Sequence, residues 1–178
     1  MIREIAELGH PALRAAVEGV AWPLSGEDRG LADDLLETML GANGVGIAAP
    51  QVGASRSIFV VASRPNPRYP DAPSMEPLVV INPEIVERSG EIARGWEGCL
   101  SIPGLRGIVP RHRRIVARFR TVGGEQVERE FVDFVARIFQ HEDDHLRGLV
   151  FLDRLESSRD LVTEKEYLAR FSPPAGDR

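Results

Sequence analysis

The segment His141-Glu142-Asp143-Asp144-His145 constrains this 178-residue chain more than any other feature. On an α-helix, two histidines four residues apart lie one turn apart and about 40° apart around the axis. Both imidazoles can therefore reach one cation. Glu142 lies about 100° from His141, where it can take a proton from water held by that cation without being a ligand. The spacing predicts a helix that carries a metal site for hydrolysis.

The neighbouring residues predict that the histidines face the protein interior. On a helical wheel Phe134 and Ile138 lie within about 60° of His141, and Glu142 lies next to further apolar residues. A buried imidazole or carboxylate needs a partner, and a metal ion supplies one. Asp143 falls on the opposite arc, where we expect it to face solvent.

Helix-like and strand-like segments together predict an α+β fold with antiparallel sheets. Helices are expected at about 27–40, 132–147 and 161–171, and strands at 57–62, 78–82, 92–96, 115–121 and 127–131. Gly123-Gly124 is a hairpin signal between the last two strands. We therefore expect antiparallel β-sheets packed around the central helix with the His-Glu-x-x-His pattern, an N-terminal helix and a short C-terminal helix.

Length and composition predict one catalytic domain over residues 1–171 and a disordered tail at 172–178. The five prolines between residues 64 and 77 predict a surface loop within that domain. A net charge of −5 argues against DNA as a partner, and no apolar run is long enough to cross a membrane. A single cysteine cannot form an internal disulfide, and no signal peptide is recognisable, so we expect a cytoplasmic protein.

The third metal ligand would separate the enzyme classes that share this helix pattern. Phe151 stands where a metzincin has its third histidine, which excludes that class. A thermolysin-like peptidase would use a glutamate about twenty residues later, such as Glu164 or Glu166. Cys99 is the remaining candidate. The charged Glu97 lies two positions away, which argues against a cysteine that only packs in the core.

Three segments resemble the three signature motifs of the peptide deformylases. They are residues 44–51 (GVGIAAPQ), 97–101 (EGCLS) and 140–146 (QHEDDHL). They meet the family patterns G-x-G-x-A-A-P-Q, E-G-C-L-S and Q-H-E-x-D-H at every specified position and in the same order. The resemblance extends from Met1 to about Leu155.

The resemblance implies a role for each matching residue. Cys99, His141 and His145 would be the metal ligands, Glu142 the general base and then the acid, and Gln51 with the backbone N–H of Leu100 the oxyanion donors. The family removes the N-formyl group from the initiator methionine of new polypeptides. It usually does so with Fe²⁺, although Zn²⁺, Ni²⁺ or Co²⁺ can occupy the site.

The same comparison suggests how substrate binds. Gly44 and Gly46 would let a substrate backbone lie close, as an added strand beside Ile47. Phe134 and Ile138, together with Ile47, would form the walls of an apolar slot for methionine.

Arg106 occupies a position where the family often places a substrate-contacting arginine. Arg137, on the same side of the helix as His141, is a candidate for the rim of this pocket, and its role is left open. The partners implied are N-formyl-methionyl nascent chains in the bacterial cytoplasm and the ribosome near its exit tunnel. The arginines of 111–114 are candidate RNA contacts, or strand-edge charges that only prevent aggregation. A thermolysin-like peptidase and a catalytically silent binding module are the competing hypotheses.

Overall fold

The computed structural model describes residues 1–66 and 69–171. The predicted tail at 172–178, and Pro67 and Arg68 of the proline-rich loop, lie outside the described residues. Within the described residues there are three α-helices: α1 (Gly26–Gly41), α2 (Asp133–Leu146) and α3 (Glu164–Phe171). None of these helices is long and apolar enough to cross a membrane.

The described strands form two antiparallel sheets. They are β1 (Gly46–Ala48), β2 (Ile58–Val61), β3 (Leu78–Arg88), β4 (Ile92–Cys99), β5 (Ile102–His112), β6 (Arg114–Arg120), β7 (Gln126–Val132) and β8 (Leu161–Thr163). One sheet has the order β1-β2-β3-β6-β7, and the other has the order β4-β5-β8. Antiparallel sheets with three helices confirm the predicted α+β class.

Three of the described strands, β1, β5 and β8, were not predicted from the sequence. β1 has only three residues, and β5 contains Pro103, Gly104 and Pro110, which resemble loop punctuation. Both form strands because neighbouring strands pair with them: β1 pairs with β2, and β5 pairs with β4 and β8. The segment 161–163 was wrongly assigned to the last helix; it is β8, and α3 begins at Glu164.

Helix α1 follows the local sequence closely. Ser25 is its N-cap, and its side chain accepts a hydrogen bond from the Asp28 N–H at 3.0 Å. Leu31, Leu35 and Met39 recur every four residues and are buried against β1 and β2. This packing holds α1 beside the short edge strand β1.

Helix α2 lies among the strands and contacts β1, β2, β5, β6 and β7. Phe139 stands at its centre, with its ring 4.9 Å from each of the rings of Phe59 and Phe131. Every residue of the helix from Ala136 to Leu146 is buried. The prediction that Asp143 faces solvent is therefore wrong: it is 4% exposed and pairs with Arg147 at 2.9 Å. Packing on all sides of α2 removes the solvent arc that the helical wheel assumes.

Candidate active site

The end of β4 and the helix α2 bring a cysteine and two histidines together. The candidate ligand atoms of Cys99, His141 and His145 all lie within 4.8 Å of one another. Cys99 Sγ is 3.3 Å from His145 Nε2, and both histidines are buried. A β-strand end thus supplies the sulfur, while one helix face supplies both imidazoles.

Glu97 fixes the ring of His141. Its Oε2 lies 2.8 Å from His141 Nδ1, which leaves Nε2 as the nitrogen available to a ligand. Burial alone would raise the pKa of Glu97, but Arg111, with His141, holds that pKa well below its usual range. The carboxylate is therefore ionised and accepts a hydrogen bond from the imidazole.

The electrostatics of the cluster favour a thiolate. Burial alone raises the pKa of Cys99, but the adjacent imidazoles of His145 and His141 outweigh it and lower the pKa to about 5. A thiolate and two imidazoles form a donor set that suits a divalent transition metal. The described residues thus fit a divalent metal ion.

Glu142 lies beside the cluster in a space that only glycine leaves open. A Cβ built on Gly46 would lie 2.3 Å from Glu142 Oε1 and 2.9 Å from Ile138 Cγ2. Burial raises the pKa of Glu142 to about 7, against the lowering effect of the two histidines. Its Oε2 is buried and has no hydrogen-bond partner among the described residues. Such a carboxyl group can exchange a proton near neutral pH.

Gln51 directs its side-chain amide at the cluster. Its Oε1 accepts the Ala48 N–H at 2.8 Å, which fixes the orientation of the amide. Its Nε2 donates to Ser101 Oγ at 3.1 Å and lies 3.4 Å from Cys99 Sγ. The short turn at residues 49–52 between β1 and β2 therefore carries a polar N–H group to the sulfur ligand.

A cavity opens beside these residues. Most of the site residues predicted from sequence line this cavity. They are Gly44, Gly46, Gln51, Glu97, Cys99, Leu100, Arg106, Phe134, Ile138, His141 and Glu142. The side chain of Ile47 is elsewhere, fully buried in the core between α1 and β2. The backbone of Ile47 pairs with Val60 on one side only, because β1 is an edge strand.

Sequence reasoning missed Tyr69 as part of the cavity wall. Its hydroxyl accepts a hydrogen bond from Arg106 Nη1 at 2.7 Å, and its ring lies 4.8 Å from that of Phe134. Tyr69 belongs to the proline-rich segment predicted as a surface loop, and loop composition does not indicate where a side chain packs. Arg106 itself is 2% exposed, and its guanidinium lies near the rings of Tyr69 and Tyr167.

The glutamates of the thermolysin-like alternative lie outside the cluster. Glu164 accepts a hydrogen bond from Arg106 Nη2 at 3.2 Å, and Glu166 pairs with Arg170 at 3.2 Å on the surface of α3. Neither belongs to the group formed by Cys99, His141 and His145. The geometry supports cysteine as the third donor.

Comparison with known proteins decides the family. Residues 2–160 match the polypeptide deformylase family. The chain belongs to that family. Peptide deformylase 2 of a Nostoc species is 54% identical over 166 residues, which cover 92% of this chain and 91% of the relative. Peptide deformylase 2 of Shewanella oneidensis is 49% identical over 136 residues, covering 76% of this chain and 75% of the relative.

Solved deformylase structures share the fold. A class I type b peptide deformylase from Acinetobacter baumannii, with Met-Ala-Ser bound, has a TM-score of 0.85 and 47% identity, covering 87% of this chain and 99% of that one. The enzyme from Thermotoga maritima has a TM-score of 0.78 and 36% identity, covering 88% of this chain and 99% of that one. The protein is therefore an enzyme that removes N-formyl groups from nascent peptides. Family membership decides against a thermolysin-like peptidase. The presence of Glu142 together with Cys99, His141 and His145 argues against a silent binding module.

Proposed function

We propose that Cys99, His141 and His145 hold one divalent metal ion within a single catalytic domain spanning residues 1–171. The observation that carries this proposal is the convergence of their three ligand atoms within 4.8 Å. On this proposal α2 is the metal-binding helix at the centre of the fold. When bound, the ion supplies Lewis-acid activation of water at the formyl carbon. Fe²⁺ is the ion we propose for the cell, and Zn²⁺, Ni²⁺ and Co²⁺ suit the same donors.

Glu142 is the proton carrier in this proposal. Hydrolysis adds water across the formyl C–N bond, breaks that bond and leaves formate and a free amine. A carboxylate with a pKa of about 7 can accept the proton of the attacking water and then give it to the departing nitrogen. Its Oε2, buried and without a hydrogen-bond partner among residues 1–66 and 69–171, can make these contacts.

Gln51 and the backbone N–H of Leu100 stabilise the oxyanion that forms on the formyl oxygen. Gln51 Nε2 has two hydrogens: one is donated to Ser101 Oγ at 3.1 Å, and the other to Cys99 Sγ at 3.4 Å. Because the Ala48 N–H holds Oε1, the amide N–H group is already directed at the cluster. Donors fixed before the reaction need no reorganisation, and one such donor is worth about 10²–10³ in turnover.

The cavity is suited to a formyl-methionyl chain end. Phe134 and Ile138 give it apolar walls next to the histidines, and Arg106 closes one side. The free edge of β1, with Gly44 and Gly46 beside it, can pair with an extended peptide backbone. The bound Met-Ala-Ser of the Acinetobacter baumannii relative has the sequence that such a site would release as product.

We further propose that the enzyme meets these chains in the bacterial cytoplasm, where ribosomes release them. The arginines of 111–114 do not favour direct contact with ribosomal RNA. Arg111 is buried, while Arg113 and Arg114 are each paired with two carboxylates.

Comparative kinetics test the substrate assignment. The substrates are formyl-Met-Ala-Ser, acetyl-Met-Ala-Ser and formyl-norleucyl-Ala-Ser, with metal-loaded enzyme. An acetyl methyl group would misplace the carbonyl relative to the metal and both donors, so we expect formyl to be preferred by about 10²-fold or more. Norleucine should be tolerated, because the slot is apolar. Equal rates for the formyl and acetyl peptides, or cleavage between Met and Ala, would contradict the proposal.

Cobalt substitution tests the ligand set. A Co²⁺-loaded enzyme should have a sulfur-to-metal charge-transfer absorption that disappears in Cys99→Ser, because that variant lacks the thiolate. Glu166→Ala serves as the matched control and should leave the band unchanged. If Glu166→Ala removes the metal while Cys99→Ser keeps it, the ligand assignment fails.

A further inference from the structure

Arg137 is a buried cation on α2, one turn before His141, and the proposed reaction gives it no task. Its guanidinium bonds Glu97 Oε1 from Nη1 at 2.9 Å. Glu97 in turn holds His141 Nδ1. We propose that Arg137 is a positioning residue, which fixes the Glu97 carboxylate so that His141 presents Nε2 to the metal. This inference rests on the proposed metal site.

The hydrogen bonds of Glu97 show how the carboxylate is held. Oε1 accepts from Arg111 Nε and Arg137 Nη1, both at 2.9 Å. Oε2 accepts from Arg111 Nη2 at 2.9 Å and from His141 Nδ1 at 2.8 Å. Arg111 donates to both carboxylate oxygens of Glu97, whereas Arg137 donates to Oε1 only. Each oxygen thus has two donors, and His141 is directed to Oε2.

Arg137 is also hydrogen-bonded to the three-stranded sheet β4-β5-β8. Its Nη1 also donates to Val109 O at 2.8 Å on β5, and its Nη2 donates to Ala93 O at 2.6 Å on β4. A Cβ built on Gly95 would lie 2.9 Å from Arg137 Nη2, so the strand leaves room for the guanidinium. The side chain therefore ties α2, which carries two ligands, to the strand that carries Glu97 and Cys99.

The competing interpretation is that Arg137 only forms part of the cavity wall, beside Phe134 and Ile138. A wall residue would change substrate affinity and leave the metal centre unaffected. A positioning residue would change metal affinity and turnover, because a misdirected imidazole is a poorer ligand. Loss of a group that orients a ligand typically costs about 10–100-fold in metal affinity or activity.

The experiment compares apo-enzyme variants Arg137→Met and Arg137→Lys with wild type. Arg147→Gln is the control: this arginine is the C-cap of α2, is about half exposed, and pairs with Asp143 rather than with Glu97. Co²⁺ affinity is measured by competition with a chelator, and the His141 ring nitrogens are observed by NMR. The kcat and KM for formyl-Met-Ala-Ser are then measured with metal-loaded enzyme.

We expect Arg137→Met to lose about 10–100-fold in Co²⁺ affinity and a similar factor in kcat, with KM nearly unchanged and an altered His141 Nδ1 signal. Arg137→Lys should recover part of the loss, since one ammonium can still reach Oε1. Arg147→Gln should match wild type. If Arg137→Met does not fold, Arg137→Lys still decides, because it keeps the charge but loses the bond to one of the two strands.

Unchanged Co²⁺ affinity and His141 signals in folded Arg137 variants overturn the inference, and a change confined to KM assigns the residue to the cavity wall. Failure of the underlying site has a different signature. In that case wild-type enzyme itself would lack a Cys99-dependent Co²⁺ band, whatever occupies position 137.

Discussion

Two sets of arginine–carboxylate pairs behave differently in this protein. Behind α2, Arg111 joins Glu97 to Asp144, and all three side chains are about 5% exposed or less. On the outer face of β3, β6 and β7, Arg114 pairs with Glu87 and Glu130 at 2.5 Å, yet all three side chains are at least a third exposed. The bond lengths are similar, but the surroundings are not.

The difference shows that burial, and not geometry alone, decides what an ion pair contributes. In the interior, removal of one partner leaves an uncompensated charge, which is strongly unfavourable. At the surface, water and salt replace the lost partner. Glu97 of the buried set also contacts His141, so this set can influence the proposed metal site. The exposed set only covers a solvated face of the sheet.

The largest effect is expected at Glu142, in the buried region. Glu142→Gln keeps the shape of the side chain but cannot carry a proton, so turnover should fall by about 10²–10⁴. Metal content and substrate affinity should be retained. The measurement is kcat with metal-replete variant, alongside Co²⁺ stoichiometry. Near-normal turnover in a fully loaded variant would exclude the proton-carrier role.

The next effect concerns the buried pair itself. Arg111→Leu removes the cation that Glu97 and Asp144 share and should lower the free energy of unfolding by about 3–5 kcal/mol. Chemical denaturation of wild type and variant measures the change. A loss below about 1 kcal/mol, the level of a surface pair, would erase the distinction between the two regions.

Asp153 provides an intermediate case. Its side chain is about one-third exposed, accepts from Arg14 at 2.5 Å and also accepts the Val150 N–H at 2.7 Å. Partial burial raises its pKa, but these two donors outweigh it and lower the pKa below the usual value.

Because the folded-state pKa is depressed, the stabilisation is present above the unfolded value of about 3.9 and is lost as pH falls through the lower folded value. Asp153→Asn should therefore flatten the decline of the melting temperature below about pH 4. A variant with the same acid-side slope as wild type would show that Asp153 is not the responsible group.

The smallest effect is expected at the surface. Arg114→Leu makes the same substitution as Arg111→Leu, but in the exposed set, so it is the matched control. We expect a melting temperature indistinguishable from that of wild type, at low and at high salt, because solvent takes over both carboxylates. A loss of stability comparable to that of Arg111→Leu would contradict the distinction between the buried and the exposed pairs.

The sequence alone was sufficient wherever the signal is local. The spacing of His141 and His145 predicted a helix over 132–147, and α2 spans Asp133–Leu146. The four-residue apolar period of Leu31, Leu35 and Met39 predicted α1, and Gly123-Gly124 predicted the β6–β7 hairpin. The three motifs indicated the family, because each motif is a short run of neighbouring residues that can be recognised in the sequence.

Only the tertiary structure decided which distant groups meet. Arg137 reaches Glu97 across forty positions of sequence, and Tyr69 reaches Arg106 across thirty-seven. Asp143 is buried and the Ile47 side chain points into the core because neighbouring elements cover them, which no local period can indicate. Local hydrogen bonding fixes helices and turns, whereas burial and charge pairing depend on how the sheets close around α2.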